Sequence, residues 1–455
     1  TRSYLPAAEV QNVKSEYNPA RIAIRDSILE TLDQRMRQDE EARLQYASKY
    51  ARFSNSWKRW KGEIKGLERV HAIDSIRAAE KAYTQLLEED STLAEYRHQL
   101  ARLVHLYEKR LPINKDRYFY LEIPYYGIET FRHLLRYREL VEHHEEGRDS
   151  ALTAVAAKLA GSLDGFYKNY DASLDEEVAQ RILPLYWDSL QTGGLPELAR
   201  NYSEYTASKH RKALARAYRK SPLLPADEWK SLLRDAPGKA AGQVAKSDLY
   251  KLSTTLLQHF LENIRPQLRE YNQEISKIQS RYTQGLRAAY PDSAIYPDAN
   301  SSIRIGFGQV QPYIARDGVK YLTQTHLKGV MEKYQPGDYE FDVPTRLQEL
   351  YERKDFGPYG ANGQMPVCFI ATNHTTGGNS GSPVLNARGE LIGLNFDRAW
   401  EGVMSDLYFE KSICRNISVD LRYVLFLVDK FAGANRLIQE LELTSERPAR
   451  LGAAE

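Results

Sequence analysis

A serine flanked by glycines is the feature of this sequence that points most directly to chemistry. It lies in the run Thr375-Thr-Gly-Gly-Asn-Ser-Gly-Ser-Pro383. Glycine allows positive φ angles, so successive backbone N–H groups in such a turn can converge on one point. Ser380 would then expose a nucleophilic hydroxyl while the N–H groups of Gly378 and Ser380 face a developing oxyanion, as acyl transfer requires. The same spacing also fits a plain hairpin rich in Gly, Ser and Asn.

A nucleophilic serine needs a general base, and the chain has 10 histidines. His374 is the nearest to Ser380 in sequence, but triad members come together from distant segments, so we expect His374 to be a turn or strand-end residue. His143 and His144 are adjacent, would point in different directions on a helix, and fit a solvated helix end. The sequence has no H-x-x-x-H pair with an intervening glutamate and gives no support to a zinc hydrolase. We therefore expect no metal.

Composition excludes several other classes of protein. The 455 residues include 63 Lys plus Arg and 61 Asp plus Glu, a net charge of +2, so no overall basic field favours nucleic acid. The apolar runs are far shorter than the ~20 residues of a membrane span. Cys368 and Cys414 are too few for a disulfide scaffold or a multi-cysteine zinc module, and could form one bridge or none.

The residues before position 294 are predicted to be almost wholly helical. Ile24, Ile28, Leu32 and Met36 recur every four residues and would form one apolar stripe along a helix. A second helical run is predicted over about 72–110, with an interruption at Pro112, which lacks a backbone donor.

Two boundary signals follow in the same part of the chain. Ser173-Leu-Asp-Glu176 has the spacing of a capping box and predicts a helix start. Linkers are predicted at 193–196 and around 222–237, where Gly and Pro cluster.

After position 294 the pattern changes to strands. Ser302-Ile-Arg-Ile-Gly-Phe-Gly-Gln-Val310 alternates apolar and polar residues, and Val367–Ala371 and Glu390–Phe396 are short apolar runs. Asn386-Ala-Arg-Gly389 reads as a hairpin turn, and Val419 to Leu443 reads as helix. The chain is therefore predicted to contain a helical domain over 1–293 and a small β-rich domain with a closing helix over 294–455.

The residues around Ser380 resemble a known family. Gly378-Asn-Ser-Gly-Ser-Pro383, with Asn373-His-Thr-Thr before it and Leu391-Ile-Gly-Leu-Asn-Phe-Asp-Arg398 after it, is similar to the nucleophile region of bacterial serine dipeptidyl-peptidases of types 7 and 11. Members of that family have a chymotrypsin-like double barrel with a large inserted helical domain. Tyr296-Pro-Asp-Ala-Asn300 with Ser302-Ile-Arg-Ile-Gly306 resembles the segment where the family's chain leaves the helices and re-enters the barrel.

The resemblance implies an α+β fold with a helical cap domain over 1–293. The second β-barrel of the double barrel and a C-terminal helix would occupy 294–455. In the family, the catalytic His and Asp precede the helical insert, and this chain begins too late to contain either. We therefore expect the C-terminal portion of a longer enzyme, inactive by itself, with the first barrel, the base and its carboxylate upstream of Thr1.

Three further site residues are implied by the resemblance. Asp397 matches the acidic residue that pairs with the free α-amino group of the substrate, and Asn55 resembles the helical-domain asparagine that helps to hold the same amine. Arg398 occupies the position that is arginine in the type 11 enzymes, where a rigid guanidinium fork can select an acidic side chain. An apolar side chain would leave Arg398 unpaired. Taken alone, Asp397 and Arg398 also fit an ordinary exposed ion pair.

The function that follows is a serine exopeptidase that acts on oligopeptides. It would release N-terminal dipeptides with Asp or Glu in the second (P1) position, through an acyl-enzyme on Ser380. The resemblance also implies a homodimer in the periplasm or at the surface of a Gram-negative bacterium, without a cofactor. Two alternatives stay open: a related dipeptidyl-peptidase that prefers apolar P1 residues, and a non-catalytic helical scaffold or binding protein with a β-domain.

Overall fold

The computed structural model describes residues 4–190, 194–223, 225–293, 295, 302–338 and 340–444. These residues divide into two compact units. The first contains Tyr4–Leu67 and His71–Ile295 and is helical. The second contains Glu68–Val70 and the described chain from residue 302 onward, and holds the strands. The predicted boundary between 293 and 294 lies beside this division, and the roles given to the two domains stay predictions.

The helical unit is a succession of mostly short helices. Its α-helices are α1 Ala7–Asn12, α2 Asn18–Gln38, α3 Glu40–Arg69, α4 Ala72–Glu89, α5 Gln99–Tyr120, α6 Glu129–Leu134, α7 Arg138–Glu145, α8 Asp149–Gly161, α9 Leu163–Tyr167, α10 Ala172–Trp187, α11 Glu197–Ser203, α12 Ala207–Arg219, α13 Ala226–Asp235, α14 Pro237–Lys246, α15 Asp248–His259 and α16 Arg265–Ala289. Single π-turns join α1 to α2, follow α5 and join α15 to α16, at Val13–Tyr17, Leu121–Tyr125 and Phe260–Ile264. Short 3₁₀ segments span Ser91–Tyr96 and Leu135–Tyr137.

The apolar stripe predicted for the first long helix is confirmed. Ile24, Ile28, Leu32 and Met36 all lie on α2 and are buried in the main core of the unit. Their spacing places them on one face of the helix, so burying that face removes all four side chains from water.

Three helix boundaries predicted from sequence are wrong. Pro112 lies inside α5, which continues to Tyr120 because the residues after the proline are buried: Ile113 packs with Leu268 of α16, and Tyr120 lies in the main core. The cap of α10 is Asp171, which accepts from the backbone N–H of Ser173 at 2.8 Å and so starts the helix before the predicted capping box. The linker predicted at 222–237 contains α13, whose Trp229 is buried in the core.

The second unit contains seven described strands. They are β1 Tyr313–Arg316, β2 Val319–Tyr321, β3 Gln324–His326, β4 Pro366–Ala371, β5 Pro383–Leu385, β6 Leu391–Arg398 and β7 Asn416–Asp420. β1 pairs with β2, and the other five form an antiparallel sheet in the order β3-β4-β7-β6-β5. Its helices are α17 Leu327–Met331, α18 Thr345–Glu352, α19 Leu421–Phe426 and α20 Asn435–Gln439, with 3₁₀ turns at Gly357–Tyr359 and Trp400–Asp406 and a π-turn at Leu427–Phe431.

The predicted hairpin between β5 and β6 is confirmed. Asn386 N–H donates to Glu390 O at 3.0 Å, and Gly389 has a φ of +80°, which only glycine adopts readily. The two flanking strands pair antiparallel, with Pro383 opposite Leu394. This hairpin returns the chain from β5, which follows the serine loop, to β6, which pairs beside it.

Two predictions in the β-rich unit are wrong. The segment 302–310 is not a strand, since within the described part of the chain its one ladder contact is an isolated bridge from Val310 to Ala371, and Phe307 is 92% exposed. β3 occupies one edge of β4 as far as Phe369 and β7 occupies the other, so the segment meets β4 at its end, Ala371. The helix predicted from Val419 starts only at Leu421, because residues 416–420 alternate in burial and form the central strand β7.

The structure confirms an α+β protein with a helix-rich unit and a β-rich unit. The predicted segment Tyr296–Asn300 lies outside the described residues. Among the helices that the structure describes, none combines the length and the apolar character needed to cross a membrane.

Candidate active site

The serine loop is a short turn closed by Asn379. The Thr376 N–H donates to Asn379 Oδ1 at 2.8 Å, and the Asn379 N–H donates to Thr376 O at 3.1 Å. The Ser382 N–H then donates to Asn379 O at 3.0 Å. Asparagine is suited to this position because its side chain can replace a backbone acceptor in a tight turn. The loop is therefore ordered by its own sequence.

Strand β6 anchors the loop through Asn395. Gly381 N–H donates to Asn395 O at 2.8 Å, and Asn395 N–H donates to Ser382 O at 2.9 Å. The buried Asn395 side chain donates from Nδ2 to Asn379 O at 3.2 Å and accepts from Asn416 Nδ2 at 3.0 Å. One strand residue thus ties both sides of the loop to the sheet.

The glycines beside Ser380 have the conformation that the sequence predicted. Gly378 has a φ of +98° and Gly381 a φ of +82°, a region that disfavours residues with a Cβ atom. Within the described residues, the N–H groups of Gly378 and Ser380 have no hydrogen-bond partner. Two backbone donors on either side of Asn379 are therefore available to an incoming anion.

Ser380 itself is exposed, and its hydroxyl is almost unengaged. Its Oγ lies 3.5 Å from Phe396 O, which is too long for a strong hydrogen bond. Phe396 is the extra residue of a β-bulge, since Asn395 pairs with Ser418 while Asp397 pairs with Ile417. A bulge bends its strand and redirects the neighbouring side chains.

His374 is held away from the role of general base. Its Nε2 lies 3.2 Å from Ser405 O, so Nε2 carries the proton, and its ring packs against Phe409. Burial lowers the pKa of His374, which favours the neutral ring. Among the described residues, the hydrogen-bond partner of the Ser380 hydroxyl is Phe396 O and not His374. His374 lies in the loop that follows the end of β4 at Ala371, whereas a turn or strand-end residue was expected from the sequence.

Arg398 is paired inside the protein, contrary to the expectation that an apolar substrate would leave it unpaired. Its Nη1 donates to Ser405 Oγ at 2.7 Å, and its Nη2 donates to Asp406 Oδ2 at 3.0 Å. The side chains of Arg398 and Asp406 are each 16% exposed. This pair was not predicted, because it is the 3₁₀ turn Trp400–Asp406 that brings Asp406 to Arg398.

Asp397 is exposed and does not form the exposed ion pair with Arg398 that the two residues alone would fit. Its Oδ1 accepts from the backbone N–H of Arg398 at 2.8 Å, while the Arg398 guanidinium turns to Asp406. A carboxylate on the strand that carries the serine-loop anchor is therefore open to a cation.

Asn55 lies in the other unit, on the exposed side of α3. Its neighbour Ser54 is buried, so the helix turns Asn55 outward. Its predicted role toward a substrate amine stays a prediction.

Four residues of the site were missed by sequence reasoning: Asn395, Asn416, Ser405 and Asp406. Asn395 stands among apolar residues in the strand run from Leu391, and a polar residue in such a run is usually buried only with partners. The polar residue within an apolar run was therefore a signal in the sequence for Asn395. No such signal marks Asn416, Ser405 or Asp406, because their partners come from separate elements.

The two cysteines and the potential metal ligands add no further reactive site among the described residues. Cys368 and Cys414 are both free thiols, and burial raises the pKa of Cys414 to about 11. Within the described ranges, no group of three or more His, Cys, Asp or Glu side chains is arranged to hold a metal ion.

Comparisons with known proteins give a consistent result. The model of the Peptidase S46 family matches residues 1–443. An Asp/Glu-specific dipeptidyl-peptidase of Flavobacterium psychrophilum is 40% identical over 97% of this chain, and a dipeptidyl-peptidase 7 of Phocaeicola vulgatus is 32% identical over 97%. The chain spans 61% of the length of each of these two relatives.

A solved structure resembles the chain as a whole. The crystal structure of Porphyromonas endodontalis DPP11 in complex with the dipeptide Arg-Glu superposes with a TM-score of 0.86 at 27% identity. The match covers 97% of this chain and 62% of that one.

Proposed function

This chain belongs to the peptidase S46 family, and we propose that it is part of a serine exopeptidase that releases N-terminal dipeptides with Asp or Glu in the second position. The observation that carries the proposal is the exposed Ser380 hydroxyl between glycines with positive φ, next to two backbone N–H groups that have no partner among the described residues. The name of the Flavobacterium psychrophilum relative, an Asp/Glu-specific dipeptidyl-peptidase, supports the acidic preference.

The chemistry is acyl transfer. Ser380 Oγ attacks the carbonyl carbon of the second substrate residue, and its proton passes to a base that later protonates the leaving amine. The Gly378 and Ser380 N–H groups receive the oxyanion, whose charge exists only in the transition state and its intermediate. Water then attacks the acyl-enzyme by the same route and releases the dipeptide.

Two contacts with the substrate amine set the position of cleavage, and one contact with the acidic side chain sets the preference for it. Asp397, exposed on β6, pairs with the free α-amino group, and the Asn55 side-chain oxygen accepts from the same ammonium. Because the ammonium is held at a fixed place, the substrate N-terminus lies a fixed number of residues from Ser380, and the scissile bond is the one after the second residue. Arg398 binds the acidic side chain of that residue with the donors that Ser405 and Asp406 do not use.

The remaining parts of the proposal concern the larger protein. We propose that the β-rich unit is the second barrel of a chymotrypsin-like pair, and that the first barrel supplies the base and its orienting carboxylate. Two findings support this: Ser380 has no histidine partner among the described residues, and the curated relatives extend beyond the part matched by this chain. A helical cap over the cleft, a homodimer and a periplasmic or cell-surface location complete the proposal, with oligopeptides as substrates.

The test compares three reporter peptides with the full-length protein. Xaa-Asp and Xaa-Glu reporters should be cleaved in preference to Xaa-Leu, and Arg398→Ala should lower kcat/KM for the acidic reporters about 100-fold, because it removes one partner of a partly desolvated charge pair. Arg388→Ala is the matched control, since Arg388 is an exposed arginine of the β5–β6 turn that pairs with Glu390 at 2.8 Å. It should leave all three rates within about twofold.

One observation favours a second candidate, a dipeptidyl-peptidase that prefers apolar P1 residues. Because Asp406 already neutralises Arg398, an apolar side chain would not leave the guanidinium without a partner. Faster cleavage of Xaa-Leu than of both acidic reporters would establish that candidate. Absence of cleavage of every reporter by the full-length protein would favour the non-catalytic scaffold instead.

A further inference from the structure

The ion pair between Arg398 and Asp406 uses part of the guanidinium that the proposed function assigns to the substrate. Of the five N–H donors of an arginine, one goes to Ser405 Oγ at 2.7 Å and one to Asp406 Oδ2 at 3.0 Å. Three donors remain for an acidic P1 side chain. Asp406 and such a side chain would therefore share one guanidinium.

Asp406 is held firmly where it is. The 3₁₀ turn that ends at Asp406 passes so close to Cys414 that a Cβ on Gly402 would lie 2.8 Å from Cys414 Cα. Met404 in the same turn is fully buried, and Ser405 O accepts from His374 Nε2 at 3.2 Å. A substrate carboxylate therefore meets the pair in place, because the packing of this turn opposes a swing of Asp406 into solvent.

The charges of the shared site decide its selectivity. With an apolar P1 residue, Arg398 and Asp406 stay a neutral pair at 3.0 Å, so little uncompensated charge is buried. With an acidic P1 residue, a second carboxylate joins the first on one cation, and two carboxylates a few ångströms apart repel each other. The internal carboxylate thus weakens the binding of acidic side chains and eases the binding of apolar ones.

We propose that Asp406 is a specificity-determining residue that acts through Arg398 and limits the preference for acidic P1 residues. The proposal rests on the proposed function, because it takes Arg398 as the group that binds the P1 side chain. Asp406 is a positioning residue in this account and does not contact the reacting atoms.

Asp406→Asn in the full-length protein isolates the charge. The asparagine Oδ1 can still accept from Arg398 Nη2, so the guanidinium keeps its anchor while the competing charge disappears. We expect the ratio of kcat/KM for Xaa-Asp over Xaa-Leu to rise about tenfold. The change should come from a lower KM for Xaa-Asp and a higher KM for Xaa-Leu, with kcat nearly constant. A purely structural role would not separate the two reporters.

Asp355→Asn is the matched control, because Asp355 pairs with Lys430 at the same 3.0 Å distance elsewhere in the unit. It should leave the ratio within about twofold. If Asp406→Asn does not fold, Asp406→Ser, which is neutral and smaller, carries the same prediction. An unchanged or lower ratio in the folded variant overturns the proposal.

Arg398→Ala, measured in parallel, distinguishes a failure of the inference about Asp406 from a failure of the role assigned to Arg398. If it abolishes the acidic preference while Asp406→Asn leaves the ratio unchanged, the inference about Asp406 fails alone. If Arg398→Ala leaves the preference intact, the assignment of Arg398 in the proposed function fails first.

Discussion

At the scale of single residues, the neighbours Gly377 and Gly378 differ in backbone conformation and in their proposed role. Gly378 has a φ of +98°, whereas Gly377 has no positive φ, and an added Cβ would meet open space at both. Steric clashes therefore cannot separate the two positions. The backbone conformation does distinguish them, because a residue with a Cβ atom at positive φ costs about 1–2 kcal/mol. An alanine at position 378 would relieve this cost by rotating the peptide group and its N–H away from their present direction.

Gly378→Ala should lower kcat about 100-fold with little change in KM. The Gly378 N–H is a donor to the proposed oxyanion, and losing one such donor costs about 2.7–4 kcal/mol of transition-state stabilisation. Steady-state kinetics on an Xaa-Asp reporter with the full-length protein measure both constants.

Gly377→Ala is the control and should stay within about twofold of the unaltered protein. Equal losses in both variants would contradict the assignment of Gly378, since they would indicate general sensitivity of the loop.

At the scale of elements, β6 carries most of the site. Its bulge at Phe396 separates Asn395, which points into the sheet and holds the serine loop, from Asp397 and Arg398, which serve the substrate in the proposed function. A regular strand would place alternate residues on opposite faces and could not present this set.

Asn395→Ala should lower kcat about tenfold and reduce stability by about 1–3 kcal/mol, because Asn379 O and the buried Asn416 Nδ2 each lose one hydrogen bond to the Asn395 side chain. Reporter kinetics and thermal unfolding of the full-length protein measure the two effects. Asn386→Ala, at the far end of the same hairpin, also removes hydrogen bonds, to Glu390 and Arg388.

The control should therefore lose some stability and keep kcat within about twofold. If Asn386→Ala lowers kcat as much as Asn395→Ala does, β6 does not act on the site through the serine loop.

The elements also show what the sequence could and could not predict. The stripe on α2, the β5–β6 hairpin and the serine loop were predictable, because each depends on residues close together in the chain. Pro112 was misread because contacts between α5 and α16, far apart in sequence, keep that helix intact. β7 was missed because it runs directly into α19, and its last two residues, Val419 and Asp420, were assigned to the predicted helix.

At the scale of the whole molecule, the family was recognisable from one stretch of sequence. The motifs between Asn373 and Arg398 resemble the S46 nucleophile region, and the family match then extends over residues 1–443. The pairing of Arg398 with Asp406 was not predictable, because the same sequence spacing permits many conformations of the intervening turn. The chain matches 61% of the length of the Flavobacterium psychrophilum and Phocaeicola vulgatus relatives. Activity should therefore be measured on the full-length protein.

The central claim is that the hydroxyl of Ser380 forms a covalent bond with the substrate acyl group. A dipeptidyl phosphonate with a free amine and an acidic P1 side chain, followed by mass-spectrometric mapping of the full-length protein, tests it directly. The adduct should lie on Ser380, persist in Ser382→Ala and be absent from Ser380→Ala. An adduct on another residue, or reporter cleavage that continues at full rate in Ser380→Ala, would contradict the account.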